Sequence, residues 1–166
     1  YERAGVLCMD GVGEWATTTI GEGRGTTLRL LKEVHFPHSL GLLYSALTYY
    51  LGFRVNSAEY KVMGLAPYGE PRYMDQMHQL IEIRDDGSFR LNMDYFTYEY
   101  GLTMTGRRME ELFKESRRKP ESPLTQFHKD VARSLQELTN EAMLKIVRHA
   151  KTIAPSDYLC LAGGVA

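Results

Sequence analysis

The sequence predicts an α/β domain: a β-meander, then helices with a β-hairpin between them, a long helix and a last strand. Three observations carry this. Short β-prone runs separated by Gly-bearing turns fill residues 5–34, an amphipathic stretch fills residues 124–153, and an apolar run near the end stops at Gly163-Gly164. That order of elements gives layered helix and sheet rather than a helical bundle.

Residues 5–9 are a short apolar run ending in Asp10-Gly11-Val12-Gly13. Residues 15–20 are Thr-rich, and Gly21-Glu22-Gly23 reads as the turn that ends them. Residues 27–34 alternate Leu28, Leu30 and Lys32 against Arg29, Leu31 and Glu33, the period of a strand. Ser39 is the expected N-cap of a helix over residues 40–53 that carries Leu43, Leu47, Tyr50 and Leu51. A second helix is expected from residue 57, capped by Asn56 or Ser57 and ending near Gly64. A third, over residues 72–81, places Met74, Met77, His78 and Ile81 at helical spacing.

Residues 83–91 read as a hairpin turning at Asp85-Asp86-Gly87-Ser88, where Asp-Gly supplies left-handed backbone. Residues 101–106 read as a loop. Residues 107–118 read as an amphipathic helix stopped by Lys119-Pro120-Glu121-Ser122-Pro123. The long helix aligns Phe127, Val131, Leu135, Leu138, Ala142 and Ile146 on one face, and Pro155 ends it. Residues 158–161 then form a strand running into Ala162-Gly163-Gly164-Val165-Ala166.

Composition narrows the function classes. A chain of 166 residues, 43% hydrophobic and 25% charged, suits one globular domain with a sizeable core. A formal charge of −1 offers no field for nucleic acid or an acidic membrane, so neither partner is expected. No run approaches the ~18 apolar residues of a bilayer span. Cys8 and Cys160 read as buried thiols of a reducing compartment, which points to the cytoplasm.

His35, His38, His78, His128 and His149 lack metal-ligand spacing and read as surface or capping groups. Arg117-Arg118-Lys119 reads as a solvated helix end favourable to the helix dipole. The Tyr-rich residues 95–100 read as a packed strand face. The chain opens at Tyr1 without Met and stops just after a Gly-Gly turn, so it reads as a segment of a longer protein.

Two turns could carry chemistry. In Asp10-Gly11-Val12-Gly13-Glu14, glycines allow backbone N–H groups to approach a phosphate, and a carboxylate at a strand end can hold a metal ion. In Ala162-Gly163-Gly164-Val165-Ala166, paired glycines after a strand leave room for adenine or ribose. Taken singly, the first reads better as a plain hairpin turn and the second as a packing turn. Together they resemble the phosphate and adenosine loops that face one cleft in actin/Hsp70-like and sugar-kinase folds.

The more specific runs are Phe36-Pro37-His38-Ser39-Leu40-Gly41-Leu42-Leu43-Tyr44 and Asn56-Ser57-Ala58-Glu59-Tyr60-Lys61-Val62-Met63-Gly64-Leu65-Ala66-Pro67-Tyr68-Gly69. They resemble the O-carbamoyltransferase family of nodulation and antibiotic-tailoring enzymes, and both glycine turns match it in the expected order. The likeness is weakest over residues 83–123, which read as a variable insertion.

The resemblance implies part of an actin/Hsp70-like (ribonuclease H-like) domain, its second subdomain, truncated at both ends. It implies that a carbamoyl-adenylate-forming domain of the same longer chain makes carbamoyl adenylate from ATP and carbamoyl phosphate. The actin/Hsp70-like domain then passes the carbamoyl group to the hydroxyl of a small molecule such as a sugar, an antibiotic or a lipo-oligosaccharide. A divalent metal is implied, iron at the transfer site and magnesium with ATP. Asp10 is the one metal ligand carried over, the family's paired histidines falling before Tyr1 and its late acidic ligand beyond Ala166. Gly11, Gly13 and Glu14 would shape the phosphate-facing loop, and Gly163 and Gly164 would contact adenosine. Glu59 and Lys61 are candidate catalytic groups, Lys61 to neutralise a phosphate or carbamoyl oxygen. Two other readings stand beside this one: a sugar- or acid-kinase of the same fold, and a non-catalytic nucleotide-binding module. A segment of this size is expected to be inactive alone.

Overall fold

A computed structural model describes residues 1–166. Six strands and five helices follow one another along the chain: β1 (Arg3–Met9), β2 (Ala16–Arg24), β3 (Thr27–His35), α1 (Leu40–Tyr50), α2 (Glu59–Leu65), α3 (Met74–Leu80), β4 (Ile81–Ile83), β5 (Phe89–Leu91), α4 (Arg107–Phe113), α5 (Gln126–Ile153) and β6 (Leu159–Ala162). Two short 3-10 turns, Ala66–Tyr68 and Met93–Tyr95, complete the list. The mixed α/β class is as the sequence predicts. No helix is long and apolar enough to cross a membrane.

The chain divides into two compact units. The first comprises residues 1–42, 83–90 and 141–166, and the second residues 43–82 and 91–140. The segment 83–123 is therefore shared between them, and its Phe89, Leu91, Phe96, Met109 and Phe113 are core residues.

The first unit holds a four-stranded sheet in the order β3-β2-β1-β6. The meander strands pair antiparallel, whereas β1 and β6 pair parallel with Gly5 opposite Leu159 and Cys8 opposite Ala162. One face carries Leu7, Met9 and Ile20, all buried, and the end of α5 closes on it: a Cβ at Gly5 would lie 3.5 Å from the Ala154 carbonyl. The other face carries Val6, Cys8, Leu28 and Leu30 and is incompletely covered, with Leu28 58% and Leu30 55% exposed.

β2 runs on through Gly21-Glu22-Gly23, whose composition predicts a turn; the turn is at Gly25, which has φ +56°. Gly21 stays in the strand because Leu28 and Leu30 from β3 fill the space above it, beside a β-bulge. Cys160, expected to be buried, is exposed on β6, and Cys8 is half-buried; both are free thiols.

The second unit packs helices around Tyr50, Met77, Leu80, Phe96, Met109, Val131, Leu135 and Leu138. Tyr73, Phe113 and Phe127 meet edge-on at centroid distances of 5.3–6.3 Å. These offsets suit the ring quadrupoles. α1 stops at Tyr50, before its expected end, because Gly52 takes φ +76° there.

α4 likewise ends at Phe113, with Lys114 left-handed, so Arg117-Arg118-Lys119 is not a helix end. Instead Arg118 donates to the carbonyls of Leu51 (3.0 Å) and Ser122, and its guanidinium lies 5.1 Å from the Phe53 ring centre. A fork of fixed N–H donors suits several carbonyls at once. Residues 95–100 are not a strand face either; a 3-10 turn leads into a single bridge from Phe96 to Thr105.

His128 is the capping histidine of the expected set. Its Nδ1 accepts the Thr125 N–H at 2.9 Å, at the start of α5. Burial, and then the Arg118 charge, hold its pKa below the ordinary imidazole value, with Glu115 opposing. The unfolded chain, titrating near pH ~6.5, then binds the proton first. Stability present above that pH falls as pH drops below it. Urea unfolding between pH 7.5 and 5 is expected to show this loss, and His128→Asn to flatten it.

Gly64 and Gly69 offer a second check. A Cβ at Gly69 would sit 2.1 Å from the Lys129 carbonyl, whereas Gly64 faces open space within α2. Gly69→Ala is expected to cost about 2 kcal/mol or more by strain and repacking. Gly64→Ala should stabilise by about 0.5–1 kcal/mol through helix propensity, both read by thermal unfolding.

Candidate active site

The parallel pairing of β1 and β6 brings the two glycine turns together. With Cys8 opposite Ala162, the next residues of both strands leave the sheet side by side. Val165 N–H donates to the Met9 carbonyl at 3.1 Å, and Gly164 N–H to Asp10 Oδ1 at 3.2 Å. Gly163 makes the crossing possible. It has φ +94°, and a Cβ there would lie 2.1 Å from the Met9 carbonyl oxygen.

The main chain of Asp10 is fixed from two further directions. Its N–H donates to the Thr17 carbonyl at 2.9 Å, and its carbonyl accepts the Ser39 hydroxyl at 3.0 Å. Ser39 Oγ in turn accepts the Leu42 N–H at 3.0 Å, the N-cap bond expected from sequence. Buried Thr17 completes the junction, its hydroxyl lying on the Val34 and His38 carbonyls. Asp10 Oδ2 accepts the Cys8 thiol at 3.9 Å.

The loop itself is open. No protein group accepts the N–H of Gly11, Val12 or Gly13, and Val12 is 43% exposed. Gly13 holds φ +60° and passes close to the Ala16 carbonyl. Unclaimed N–H groups around a glycine turn are the arrangement that takes up an anion. Glu14, beside them, is exposed.

No three His, Cys, Asp or Glu side chains gather as a metal-binding group. Asp10 offers one oxygen ligand, and His35 is turned aside onto Glu33 at 3.0 Å. The residues present do not form a metal centre by themselves.

Glu59 and Lys61 lie in the second unit, apart in sequence and unit from Asp10, Gly11, Gly13, Glu14, Gly163 and Gly164. Glu59 opens α2 and ties the loop before it to α1: Oε1 accepts the Ser45 hydroxyl and the Asn56 N–H, both at 2.8 Å, and Oε2 accepts the Ala58 N–H at 3.2 Å. Burial pushes its pKa up, but these donors outweigh burial and hold the carboxyl below its ordinary value. The cap expected at Asn56 or Ser57 is absent: α2 begins at Glu59, with Ala58 at its N-cap and no side chain bonded to its first turn. Lys61 is exposed, as are Tyr60, Met63 and Tyr68, while Ala58, Val62 and Ala66 face inward at a spacing of one helical turn.

Nothing in the sequence marks Ser39, Thr17 and Gly41 as supports of the Asp10 turn, save that a glycine in the first turn of α1 weakens the helix unless something packs against it. Here a Cβ at Gly41 would lie 2.8 Å from both the Asp10 carbonyl oxygen and Gly11 Cα.

A family model described as the carbamoyltransferase N-terminus matches residues 1–166. The chain belongs to that family. Over its full length it is 56% identical to an uncharacterized protein of Synechocystis sp., 38% to nodulation protein NolNO of Sinorhizobium fredii and 37% to nodulation protein NolO of Bradyrhizobium diazoefficiens. It covers 27%, 23% and 28% of those proteins, so this carbamoyltransferase N-terminal segment spans about a quarter of the relatives it matches.

Two substitutions separate the crowded glycine from the open one. Gly163→Ala combines a left-handed backbone with a clash against Met9 and is expected to cost more than about 2 kcal/mol in urea unfolding. Gly11→Ala, with nothing within 4 Å, should change stability by less than about 1 kcal/mol.

Proposed function

We propose that this chain is the part of an O-carbamoyltransferase that binds the nucleotide end of carbamoyl adenylate, in an actin/Hsp70-like subdomain. The carrying observation is the Gly164–Asp10 bond at 3.2 Å, because it puts the two turns read as phosphate and adenosine loops at one end of one sheet. Family membership supports the carbamoyl chemistry, and the sheet order β3-β2-β1-β6 with its one parallel pair supports the subdomain type.

In this reading the N–H groups of Gly11, Val12 and Gly13 take the phosphate, with Glu14 at the loop's rim. Gly163 and Gly164 lie against the adenosine, where a side chain would intrude. Asp10 keeps Oδ1 on Gly164 and offers Oδ2 outward. A divalent metal bound there, iron or magnesium, would take Asp10 as one ligand and draw the others from the rest of a longer protein. Its chemistry would be to polarise the carbamoyl oxygen. Lys61, exposed on α2 of the second unit, takes the role of neutralising a phosphate or carbamoyl oxygen that the family likeness implies, and Glu59 is its neighbour in that run. ATP and carbamoyl phosphate are the co-substrates of the adenylate-forming domain, and the acceptor is a hydroxyl of a small molecule. Work in the cytoplasm suits these co-substrates and the free thiols.

The test is carbamoyl transfer from ATP and carbamoyl phosphate by the full-length protein. Asp10→Asn is expected to cut the transfer rate at least about 10²-fold while thermal stability holds, since asparagine still accepts from Gly164. Wild-type turnover by Asp10→Asn would overturn the role of the carboxylate. Lys61→Ala with undiminished transfer would remove Lys61 from the site. The 166-residue chain alone is expected to show no turnover.

A further inference from the structure

We infer that Ser39 and Gly41 are positioning residues that set the Asp10 carboxylate and the Gly11 backbone for the transfer step; this rests on the reading of Asp10 given above. Ser39 is fully buried, and its hydroxyl does two jobs: it accepts Leu42 N–H as the cap of α1, and it donates to the Asp10 carbonyl. Capping needs only the first. A carboxylate or amide cap would serve the helix as well or better. The donated proton therefore has a different use, which is to tie the first turn of α1 to the residue carrying the reactive carboxylate.

Gly41 sets the distance of that tie. Without a Cβ, the helix approaches until Asp10 O, Gly11 Cα and Gly11 N lie 2.8, 2.8 and 2.9 Å from where the Cβ would be. An alanine must push α1 and the loop apart by several tenths of an ångström. Asp10 N–H is held on Thr17 and Oδ1 on Gly164, so the displacement falls on Gly11 and the free N–H groups after it. Neither residue touches the reacting atoms in this scheme. Each acts through Asp10 and Gly11, and misplacements of this size cost catalysis out of proportion to stability.

The experiment compares Ser39→Thr, Ser39→Asp and Gly41→Ala in the full-length protein. Ser39→Thr keeps both bonds and is expected to stay within a few-fold of wild type. Ser39→Asp keeps the cap and loses the donation. Its buried carboxylate, facing the Asp10 carbonyl, is expected to lower the melting temperature; at a temperature where the variant is folded, the KM for carbamoyl phosphate should hold while kcat falls about 10²-fold. Hydrogen exchange gives a readout independent of turnover: the Asp10 amide, bonded to the Thr17 carbonyl, should exchange faster in Ser39→Asp and Gly41→Ala, and not in Ser39→Thr. Wild-type kcat and exchange in Ser39→Asp would overturn the inference, whether or not Gly41→Ala folds. A kcat loss in Asp10→Asn with wild-type kcat in Ser39→Asp would sink this inference and leave the reading of Asp10 intact. Full activity in Asp10→Asn would instead remove that reading.

Discussion

The parallel pairing of β1 with β6 is the constraint on which the candidate site depends. Residues 10 and 164 are joined by a hydrogen bond although nearly the whole chain separates them. The pairing fixes this by register, because Cys8 opposite Ala162 leaves Met9 and Gly163 as the next positions on each strand. A one-residue slip would exchange the two faces of β6. It would also move Gly163 off Met9, the one place where its left-handed conformation and missing side chain are both required. The sheet thus acts as a ruler for the two turns, and the buried face of β1 keeps it straight.

Element types and the centres of the long elements were legible in the sequence. The α5 face is the clearest case: Val131, Leu135, Leu138, Ala142 and Ile146 are all buried, as their period demands. Boundaries and turns were less legible, and for identifiable reasons. Gly21-Glu22-Gly23 has turn composition, but Leu28 and Leu30 supply from the neighbouring strand the packing that these glycines lack. Arg117-Arg118-Lys119 has the composition of a solvated helix end. The carbonyls of Leu51 and Ser122, distant or irregular in sequence, claim Arg118 instead. No local pattern carries either fact.

The site was legible in outline and not in its supports. Two glycine turns and one aspartate could be picked out because glycine and carboxylate residues announce themselves at strand ends. What joins them could not. Thr17 was one threonine among three, and Ser39 was fully accounted for as a cap. Glu59 shows the converse, a carboxylate in a distinctive run whose lone pairs are occupied by Ser45, Asn56 and Ala58. A recognisable residue can owe its identity to the loop it holds together.

The strand that completes the site also leaves it exposed. β6 lies at the edge of the sheet, with its backbone unpaired on one side and Leu159, Cys160 and Leu161 open to solvent. Such an edge is a template for another strand. β3 is the other such edge, so handled by itself the chain offers its own copies two templates, and colloidal behaviour and folding yield would report on both. An added strand beside β6, in the rest of a longer protein, would shield the apolar edge and at the same time clamp the Gly163 turn against Met9. Shelter from association and rigidity at the Gly163 turn would then come from the same few backbone hydrogen bonds.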